Sequence, residues 1–550
     1  MKIRSRYFVA AALLALVAPS VFMAASGKND MAATARDISV INAVFKEMNT
    51  RYVDSVDVDR AMTTAIDAML NDLDPYTEFI SAEEASDFMA MSTTGEYGGI
   101  GSVIMMRKGG GVQISDPYEG SPAALAGLRP GDRIVKIDTM DTRTWDTKQV
   151  SDHLKGQANT TVHVVVERPY VHDSVLTFDI VRRKIQMPSV PYFTALDGGI
   201  GYIQLTKFTE TSADEVRDAL LSLKRDKAIK SLILDLRGNG GGLVESAIKI
   251  ANFFVPKNTE IIRTKGRLKT EEKIYKTTQK PIDTEIPLCI LVDGGSASAS
   301  EIVAGSMQDL DRAVVVGSRS FGKGLVQKQI YLPDSSAIRL TIARYYTPSH
   351  RCIQKDYTLG DEDDYSKELY DRYSHGELYS ADSIKVDKSK IFRTANGRIV
   401  YGGGGIVPDI FVPNDTTGIT TYYRAVANLG LLQQYVYTYV DINRDQLKNV
   451  KTVKQLMGMM PSDDALTYDF VCYARDNGVP MRWYYINLSR SLIARQLRAL
   501  VIRDVLGSEE FYRYYNRTDN TVNAALKALN DGKGKFPITL TSTKKKKGKR

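Results

Sequence analysis

The stretch Gly294-Gly295-Ser296-Ala297-Ser298-Ala299-Ser300-Glu301 follows an apolar run, Leu288 to Val292, that is typical of a buried strand. After it, Ile302, Val303 and Leu310 favour an amphipathic helix beginning near Ser300. Small residues between a strand and a helix permit a sharp turn that holds one serine outward, as in a nucleophile elbow. The free N–H groups and the positive dipole end of the helix would favour an oxyanion beside that serine.

A candidate base follows in Ser320-Phe321-Gly322-Lys323-Gly324-Leu325-Val326-Gln327. The backbone can approach a lysine between two glycines closely, and desolvation would lower the pKa of its amine from about 10.4. A neutral amine can take the proton of a serine hydroxyl, and Gln327 is spaced to orient that amine.

Two other site chemistries compete with a serine–lysine pair. The segment Gly317 to Gly324 nearly matches a phosphate-binding loop, but the final hydroxyl residue is replaced by glycine. The residues after it, Leu325 to Leu332, predict a strand where that loop needs a helix, which disfavours nucleotide binding. A Ser-His-Asp site remains open, although none of the five histidines stands in a recognisable catalytic setting.

Together the two motifs resemble the C-terminal processing (tail-specific) peptidase family. The resemblance implies that Ser298 is the nucleophile, Lys323 the general base and Gln327 its orienting partner. The glycine loop Arg237 to Gly242 supplies one oxyanion N–H in that family, which corresponds to Gly241 here, and the N–H of Ala299 would be the other. On backbone grounds alone, the same glycines could form only a tight turn.

A second resemblance, to bacterial PDZ domains, rests on Tyr97-Gly98-Gly99-Ile100-Gly101 and on the pattern from Ser121 to Ile134. Glycines allow successive N–H groups to face an incoming C-terminal carboxylate, and a peptide would add to the edge strand Val103 to Met105. The alternative is an ordinary glycine hairpin. The predicted peptide-binding residues are Tyr97, Gly98, Gly99, Ile100, Gly101 and Val103.

The expected architecture is an α/β peptidase core with a mixed sheet, an inserted PDZ domain, and helical N- and C-terminal regions. The polar, acidic residues 356–396 are expected to form a solvated insertion loop. The predicted boundaries are 1–26 for a signal peptide, 27–89 for an N-terminal helical region, 90–185 for the PDZ domain, 186–415 for the serine peptidase core, and 416–550 for a helical extension with a basic tail.

Export is predicted from the first 26 residues, in which basic residues precede an apolar run and small residues offer a cleavage point. The predicted location is a bacterial periplasm, and an uncleaved N-terminal membrane anchor is the alternative. No later run approaches the roughly 18 apolar residues of a membrane span.

The net charge of +8 is concentrated at the two ends, in Lys2, Arg4 and Arg6 and in the tail Lys544 to Arg550. The remainder is near neutral, which argues against a nucleic-acid partner. The tail is expected to be solvated, with weak affinity for an anionic membrane surface. The three cysteines lack metal-ligand spacing, so neither a metal nor a cofactor is expected, and the sequence does not indicate an oligomeric state.

The sequence therefore predicts an exported serine endopeptidase that acts on proteins with accessible C-termini. A non-catalytic PDZ adaptor on a peptidase-like fold is the alternative from another functional class.

Overall fold

The computed structural model describes residues 28–82, 85, 96–107, 110–118, 120–168 and 174–534. The predicted signal peptide and the basic tail both lie outside these described residues. Within the ranges that are described, no helix has the length and apolar character needed to cross a membrane.

The N-terminal region is helical, as predicted, and consists of α1 (Lys28–Arg51) and α2 (Val58–Asn71). Asp57 caps α2, because its side chain accepts the N–H of Arg60 at 3.0 Å. After the turn Leu73 to Thr77, strand β1 (Glu78–Ile80) pairs antiparallel with a strand of the core through residues 337–339. This pairing brings the turn alongside the core.

The predicted PDZ region forms an antiparallel sheet with strand order β3-β4-β5-β7-β8, to which β6 adds through β5. Its core contains fully buried Ile114, Ile134 and Val164. Among the described residues, strand β3 has one neighbour in this sheet, which leaves its other edge unpaired there. The elements are β2 (Glu96–Gly99), β3 (Ser102–Met106), β4 (Val112–Pro117), α3 (Pro122–Ala126), β5 (Arg133–Ile137), β6 (Met140–Asp141), α4 (Thr147–Leu154), β7 (Thr161–Glu167), β8 (Val175–Val181) and β9 (Arg183–Gln186).

The prediction that the whole stretch Tyr97 to Gly101 is a loop is wrong for its first three residues. Tyr97, Gly98 and Gly99 lie in β2 and pair antiparallel with β9. The partner strand comes from far along the chain, so the local glycine pattern does not reveal the pairing.

The core is built on a sheet with strand order β10-β11-β12-β15-β16-β21. The β10–β11 pair is antiparallel and the others are parallel, which confirms the predicted mixed sheet. Helices α5, α6 and α7 pack on it through a buried apolar cluster. The elements are β10 (Tyr192–Leu196), β11 (Ile200–Gln204), α5 (Ser212–Lys227), β12 (Ser231–Asp235), α6 (Val244–Asn252), β13 (Glu260–Gly266), β14 (Lys273–Lys276), β15 (Leu288–Val292), α7 (Ala299–Asp309), β16 (Val314–Gly317), β17 (Leu325–Tyr331), β18 (Ala337–Tyr346), α8 (Glu362–Ser374), β19 (Ile391–Arg393), β20 (Ile399–Tyr401) and β21 (Ile410–Phe411).

A second sheet joins β1, β18, β13 and β14, with β17 paired to β18. Strand β17 begins two residues after Lys323, the predicted base, and carries Gln327. Strands β1 and β17 both pair with β18. The turn Leu73 to Thr77, which precedes β1, therefore lies close to Lys323 and Gln327.

The expectation that residues 356–396 form a solvated loop is wrong. They contain α8, and Tyr365, Arg372 and Glu377 are buried. The guanidinium of Arg372 donates to the main-chain oxygen of Ser320 at 2.8 Å, so the insertion braces the loop before Lys323. Several of its polar side chains form buried ion pairs and hydrogen bonds. Amino-acid composition alone does not tell such buried polar residues from solvent-exposed ones.

The C-terminal region is helical, as predicted, and α9 to α14 share their own apolar cluster. Ile493, Leu497 and Val501, predicted as one apolar helix face, are fully buried there. Helix α16 packs instead on the core sheet, where Cys289 is buried as expected. The elements are α9 (Thr421–Asn428), α10 (Leu431–Ile442), α11 (Arg444–Leu447), α12 (Val453–Met459), α13 (Asp463–Asp476), α14 (Trp483–Leu506), α15 (Ser508–Asn516) and α16 (Asn520–Asn530).

Candidate active site

Ser298 lies at the turn between β15 and α7, the position expected of a nucleophile elbow. Its φ angle is +54°, which residues with a Cβ rarely adopt. The Ala297 N–H and the Ser300 hydroxyl both donate to the main-chain oxygen of Asn239, at 3.0 and 2.8 Å. These bonds to the loop after β12 hold the strained turn in place, as an elbow requires.

Lys323 lies between two glycines that approach other backbone closely, as the sequence predicted. A Cβ on Gly324 would lie 2.7 Å from the main-chain nitrogen of Gln354. Gly322 has a φ of +96°, which favours glycine there. The Lys323 amine donates to the Oε1 atom of Gln327 at 2.8 Å, so the predicted base and its predicted orienting residue are in contact.

The electrostatic setting of Lys323 favours a neutral amine. Burial lowers the pKa of Lys323 to about 8, and the positive charge of Arg339 acts in the same direction. The carboxylates of Glu78, Asp74 and Glu301 oppose this shift, but none of them forms an ion pair with the amine in the described chain. The amine therefore loses its proton more readily near neutral pH than an ordinary lysine does.

Glu301 connects the loops that carry the two predicted reacting groups. Its fully buried carboxylate accepts the main-chain N–H of Ser298 at 2.9 Å and that of Lys323 at 2.8 Å. It also accepts the Gly322 N–H at 2.7 Å and the Ser320 hydroxyl at 2.5 Å. Burial raises the pKa of Glu301 to about 7, against the opposing effect of these four donors.

Tyr345 makes a second connection, because its hydroxyl contacts the main-chain oxygens of Ser298, at 3.2 Å, and Lys323, at 2.8 Å. Among the residues described, no hydrogen bond joins the Ser298 hydroxyl to the Lys323 amine, which instead contacts Gln327 and the ring of Tyr76. Catalytic hydrogen bonds are often loose without substrate, so this separation does not remove Lys323 as the candidate base.

The two predicted oxyanion donors differ in their surroundings. Ala299 is the first residue of α7, so its N–H has no partner within the helix. Gly241 is adjacent to Ser298, since a Cβ on it would lie 2.8 Å from the Ser298 Cβ. However, the Gly241 N–H already donates to Oδ1 of Asn239 at 2.9 Å.

A cavity of about 340 Å³ opens between β3 and α4, where the sequence predicted a peptide groove. Of the six predicted peptide-binding residues, Tyr97, Ile100, Gly101 and Val103 line it. Gly98 and Gly99 do not line it, although Tyr97 belongs to the same β2–β9 pair. Leu154 of α4 lines the opposite wall.

Three residues of the site were not identified as site residues from the sequence: Glu301, Tyr345 and Tyr76. Glu301 carried a usable signal, because a serine followed three residues later by glutamate is the capping-box pattern. Tyr345 and Tyr76 carried none, since their contacts arise from packing between distant segments.

Other site chemistries find little support in the described chain. His153, His163 and His375 form hydrogen bonds to Gln149, Asp179 and Asp371, and none of these bonds involves Ser298. Over the same residues, no group of three or more histidine, cysteine, aspartate or glutamate side chains could hold a metal ion.

Comparisons with protein families support the interpretation of both domains. Residues 199–365 match peptidase family S41, residues 113–168 match the PDZ domain, and residues 422–507 match a family of unknown function. The first two matches cover the candidate site and most of the antiparallel sheet domain.

Individual proteins and solved structures are similar to parts of this chain. The chain is 37% identical to the carboxy-terminal-processing protease of Bartonella bacilliformis, over 63% of this chain and 79% of that protein. It is 34% identical to a "Probable CtpA-like serine protease" of Staphylococcus aureus, over 58% of this chain and 62% of that protein. The solved structure of a photosystem II D1 C-terminal processing protease is 30% identical, with a TM-score of 0.34, and covers 57% of this chain and 84% of that one.

The first of these relatives is 37% identical to this chain, which covers 79% of its length. The chain therefore belongs to the carboxy-terminal-processing proteases of peptidase family S41, and it is a serine-type peptidase that carries a PDZ domain.

Proposed function

We propose that this peptidase is an exported endopeptidase in which Ser298, Lys323 and Gln327 carry the reaction. Lys323 accepts the proton of the Ser298 hydroxyl as the Ser298 oxygen attacks the carbonyl carbon of the scissile bond. Lys323 then returns the proton to the leaving amine, and water hydrolyses the acyl-enzyme by the reverse sequence. Gln327 keeps the amine oriented throughout.

The observation that most supports this proposal is the setting of the Lys323 amine. It is partly buried, it donates to a neutral amide oxygen of Gln327, and its pKa is lowered to about 8. An amine in this setting can exchange a proton with a serine near neutral pH, whereas an ordinary exposed lysine remains charged.

The negative oxygen of the tetrahedral intermediate would bind the N–H groups of Ala299 and Gly241. Both lie beside Ser298, and the N-terminus of α7 adds its positive dipole end. One such donor typically contributes a factor of about 10²–10³ to the rate.

The substrates would be proteins whose C-termini are accessible to the PDZ domain. The cavity between β3 and α4 supports this proposal, because an extended peptide can add to the open edge of β3. Ile100 and Gly101, which line the cavity, are the candidates for holding the terminal carboxylate.

Export to a bacterial periplasm remains a proposal that rests on residues 1–26, with an uncleaved anchor as the alternative. Cell fractionation and N-terminal sequencing of the mature protein would test it. Weak attachment of the basic tail to an anionic membrane is a separate prediction, testable by co-sedimentation with vesicles that contain anionic lipid.

Cleavage of an unfolded protein tests the proposed reaction. The purified chain should cut denatured casein into fragments, and the Ser298→Ala variant should not. Ser300→Ala, in the same triplet, should keep part of the activity, because it loses the hydroxyl bond to Asn239 that supports the turn but keeps the Ser298 hydroxyl. Fragmentation by Ser298→Ala would contradict the assignment of the nucleophile, and no fragmentation by the wild type would favour the adaptor alternative.

A further inference from the structure

Tyr76 belongs to the turn Leu73 to Thr77, which precedes the PDZ region, yet it lies against the catalytic lysine. The carboxylate of Asp74 fixes this turn by accepting the N–H groups of Tyr76 and Thr77, at 2.8 and 3.0 Å, and the Thr77 hydroxyl at 2.7 Å. Asp74 and Thr77 are both buried. The turn therefore presents Tyr76 to the core in one defined geometry.

The main-chain oxygen of Tyr76 determines how the side-chain amide of Gln327 is oriented. It accepts the Nε2 group of Gln327 at 2.5 Å, which directs Oε1 of Gln327 toward the Lys323 amine. The opposite orientation would place the amide NH₂ against that amine and the amide oxygen against the Tyr76 oxygen. Only the observed orientation satisfies both contacts.

The ring of Tyr76 contacts the same amine from a second side. The Lys323 nitrogen lies 4.2 Å from the ring centroid, within the range of a cation–π interaction. Tyr365 of α8 packs edge-on against this ring, with centroids 5.5 Å apart, and the two hydroxyl groups are in contact. The Tyr76 ring is thus held between Tyr365 of the insertion and the Lys323 amine.

We propose that Tyr76 is a positioning residue for the catalytic base: its main-chain oxygen orients Gln327 and its ring holds the Lys323 amine in place. This inference rests on the proposed role of Lys323. The N-terminal turn thus belongs to the active site. The face of the Tyr76 ring stabilises the protonated Lys323 amine, and the ring also shields that amine from water.

Substitution of Tyr76 leaves the charged residues around the Lys323 amine in place. They are Arg339 on β18, Glu78 on β1, Asp74 in the turn and Glu301 on α7, and Arg339 is paired with Glu78 at 2.8 Å. Replacing the ring by a smaller apolar side chain removes its π face and its hydroxyl, which contacts Tyr365, and comparison with Tyr76→Phe separates these two effects.

The test measures kcat/KM against pH for the full chain and for Tyr76→Leu and Tyr76→Phe, using a fluorogenic peptide. Loss of the ring face should move the midpoint of the acid limb to lower pH by about half a unit to one unit. The plateau rate should also fall by about tenfold, because the amine is less restrained. Tyr76→Phe should restore the wild-type midpoint.

A purely structural role would reduce the amount of active enzyme without moving this midpoint. If Tyr76→Leu does not fold, Tyr76→Met makes the same comparison with an unbranched apolar chain. An unchanged midpoint in a folded non-aromatic variant would overturn the inference. Ser298→Ala, measured in parallel, separates the two proposals, since cleavage by that variant would contradict the proposed function itself.

Discussion

The main-chain N–H of Gly241 donates a hydrogen bond to the side-chain oxygen of Asn239 at 2.9 Å, although Gly241 is a predicted oxyanion donor. Breaking a neutral bond of this kind costs about 1 kcal/mol. One oxyanion donor contributes roughly 2.7–4 kcal/mol once negative charge has developed. The Gly241 N–H would therefore change partner during the reaction, from Asn239 to the oxyanion.

Gly241→Ala should lower turnover sharply, whereas Gly240→Ala should not. A Cβ on Gly241 would lie 2.8 Å from the Ser298 Cβ and 2.9 Å from the Ala299 nitrogen, at a φ of +100°. A Cβ on Gly240 would meet nothing within 4 Å. The expected loss in kcat/KM for Gly241→Ala is at least about 10²-fold. Similar activity of the two variants would contradict the position of Gly241 beside the nucleophile.

Lys323→Ala and Lys323→Arg should both lose turnover while remaining folded. Arginine keeps the positive charge but cannot deprotonate in a protein, so it cannot accept the serine proton. Lys328→Arg, at an exposed position on β17, is the matched control and should retain activity. Wild-type activity should rise with pH through about pH 8, because the pKa of Lys323 is lowered to that value. Turnover by Lys323→Arg would remove Lys323 from its proposed role.

The elbow and the base were predictable because their turn chemistry is local. Small residues between the apolar run Leu288–Val292 and the following helix specify the turn at Ser298, and glycines flank Lys323. The resemblance of both motifs to one family then suggested the pairing of Lys323 with Gln327, which are in contact.

The features that the sequence did not predict depend on contacts between distant segments. Gly98 and Gly99 pair with β9, and Tyr76 reaches Lys323 because β1 and β17 share the neighbour β18. In the insertion, Arg372 is buried, and its guanidinium donates to the main-chain oxygen of Ser320 instead of facing solvent. Local composition carries no information about such partners.

Glu301→Gln should lower both stability and activity. An amide in place of the carboxylate cannot accept all four donors, and a buried donor without a partner costs about 1–3 kcal/mol. The melting temperature and kcat/KM should both fall, whereas Glu210→Gln at an exposed position should change neither.

The pH dependence of the reaction gives a further check on Glu301. Its pKa is raised to about 7, so it takes up a proton below that pH and loses acceptor capacity, while Lys323 is protonated below about pH 8. Both groups must be deprotonated for activity, so log kcat/KM should rise with a slope approaching two below about pH 7. The slope should fall to one in Glu301→Gln, and a slope of one in the wild type would exclude a role for the charge of Glu301.

A substrate with a free apolar C-terminus should be cut faster than the same substrate with an amidated or charged C-terminus. A tail bound at the β3 edge raises the local concentration of the upstream peptide near Ser298, and amidation removes the carboxylate that the loop would bind. The measurement is kcat/KM for a matched pair of unfolded substrates that differ only at the terminus.

Two substitutions test whether this preference comes from the cavity beside β3. Val103 lines the cavity and is 41% exposed, so Val103→Glu adds a negative charge there without disturbing the core. Val181→Glu adds the same charge on β8, the opposite edge of the sheet, where the side chain is 46% exposed. The preference should fall in Val103→Glu and persist in Val181→Glu, and deletion of residues 90–185 should erase it. Equal cleavage of free and amidated tails by the intact enzyme would contradict tail recognition while leaving the chemistry of Ser298 and Lys323 untouched.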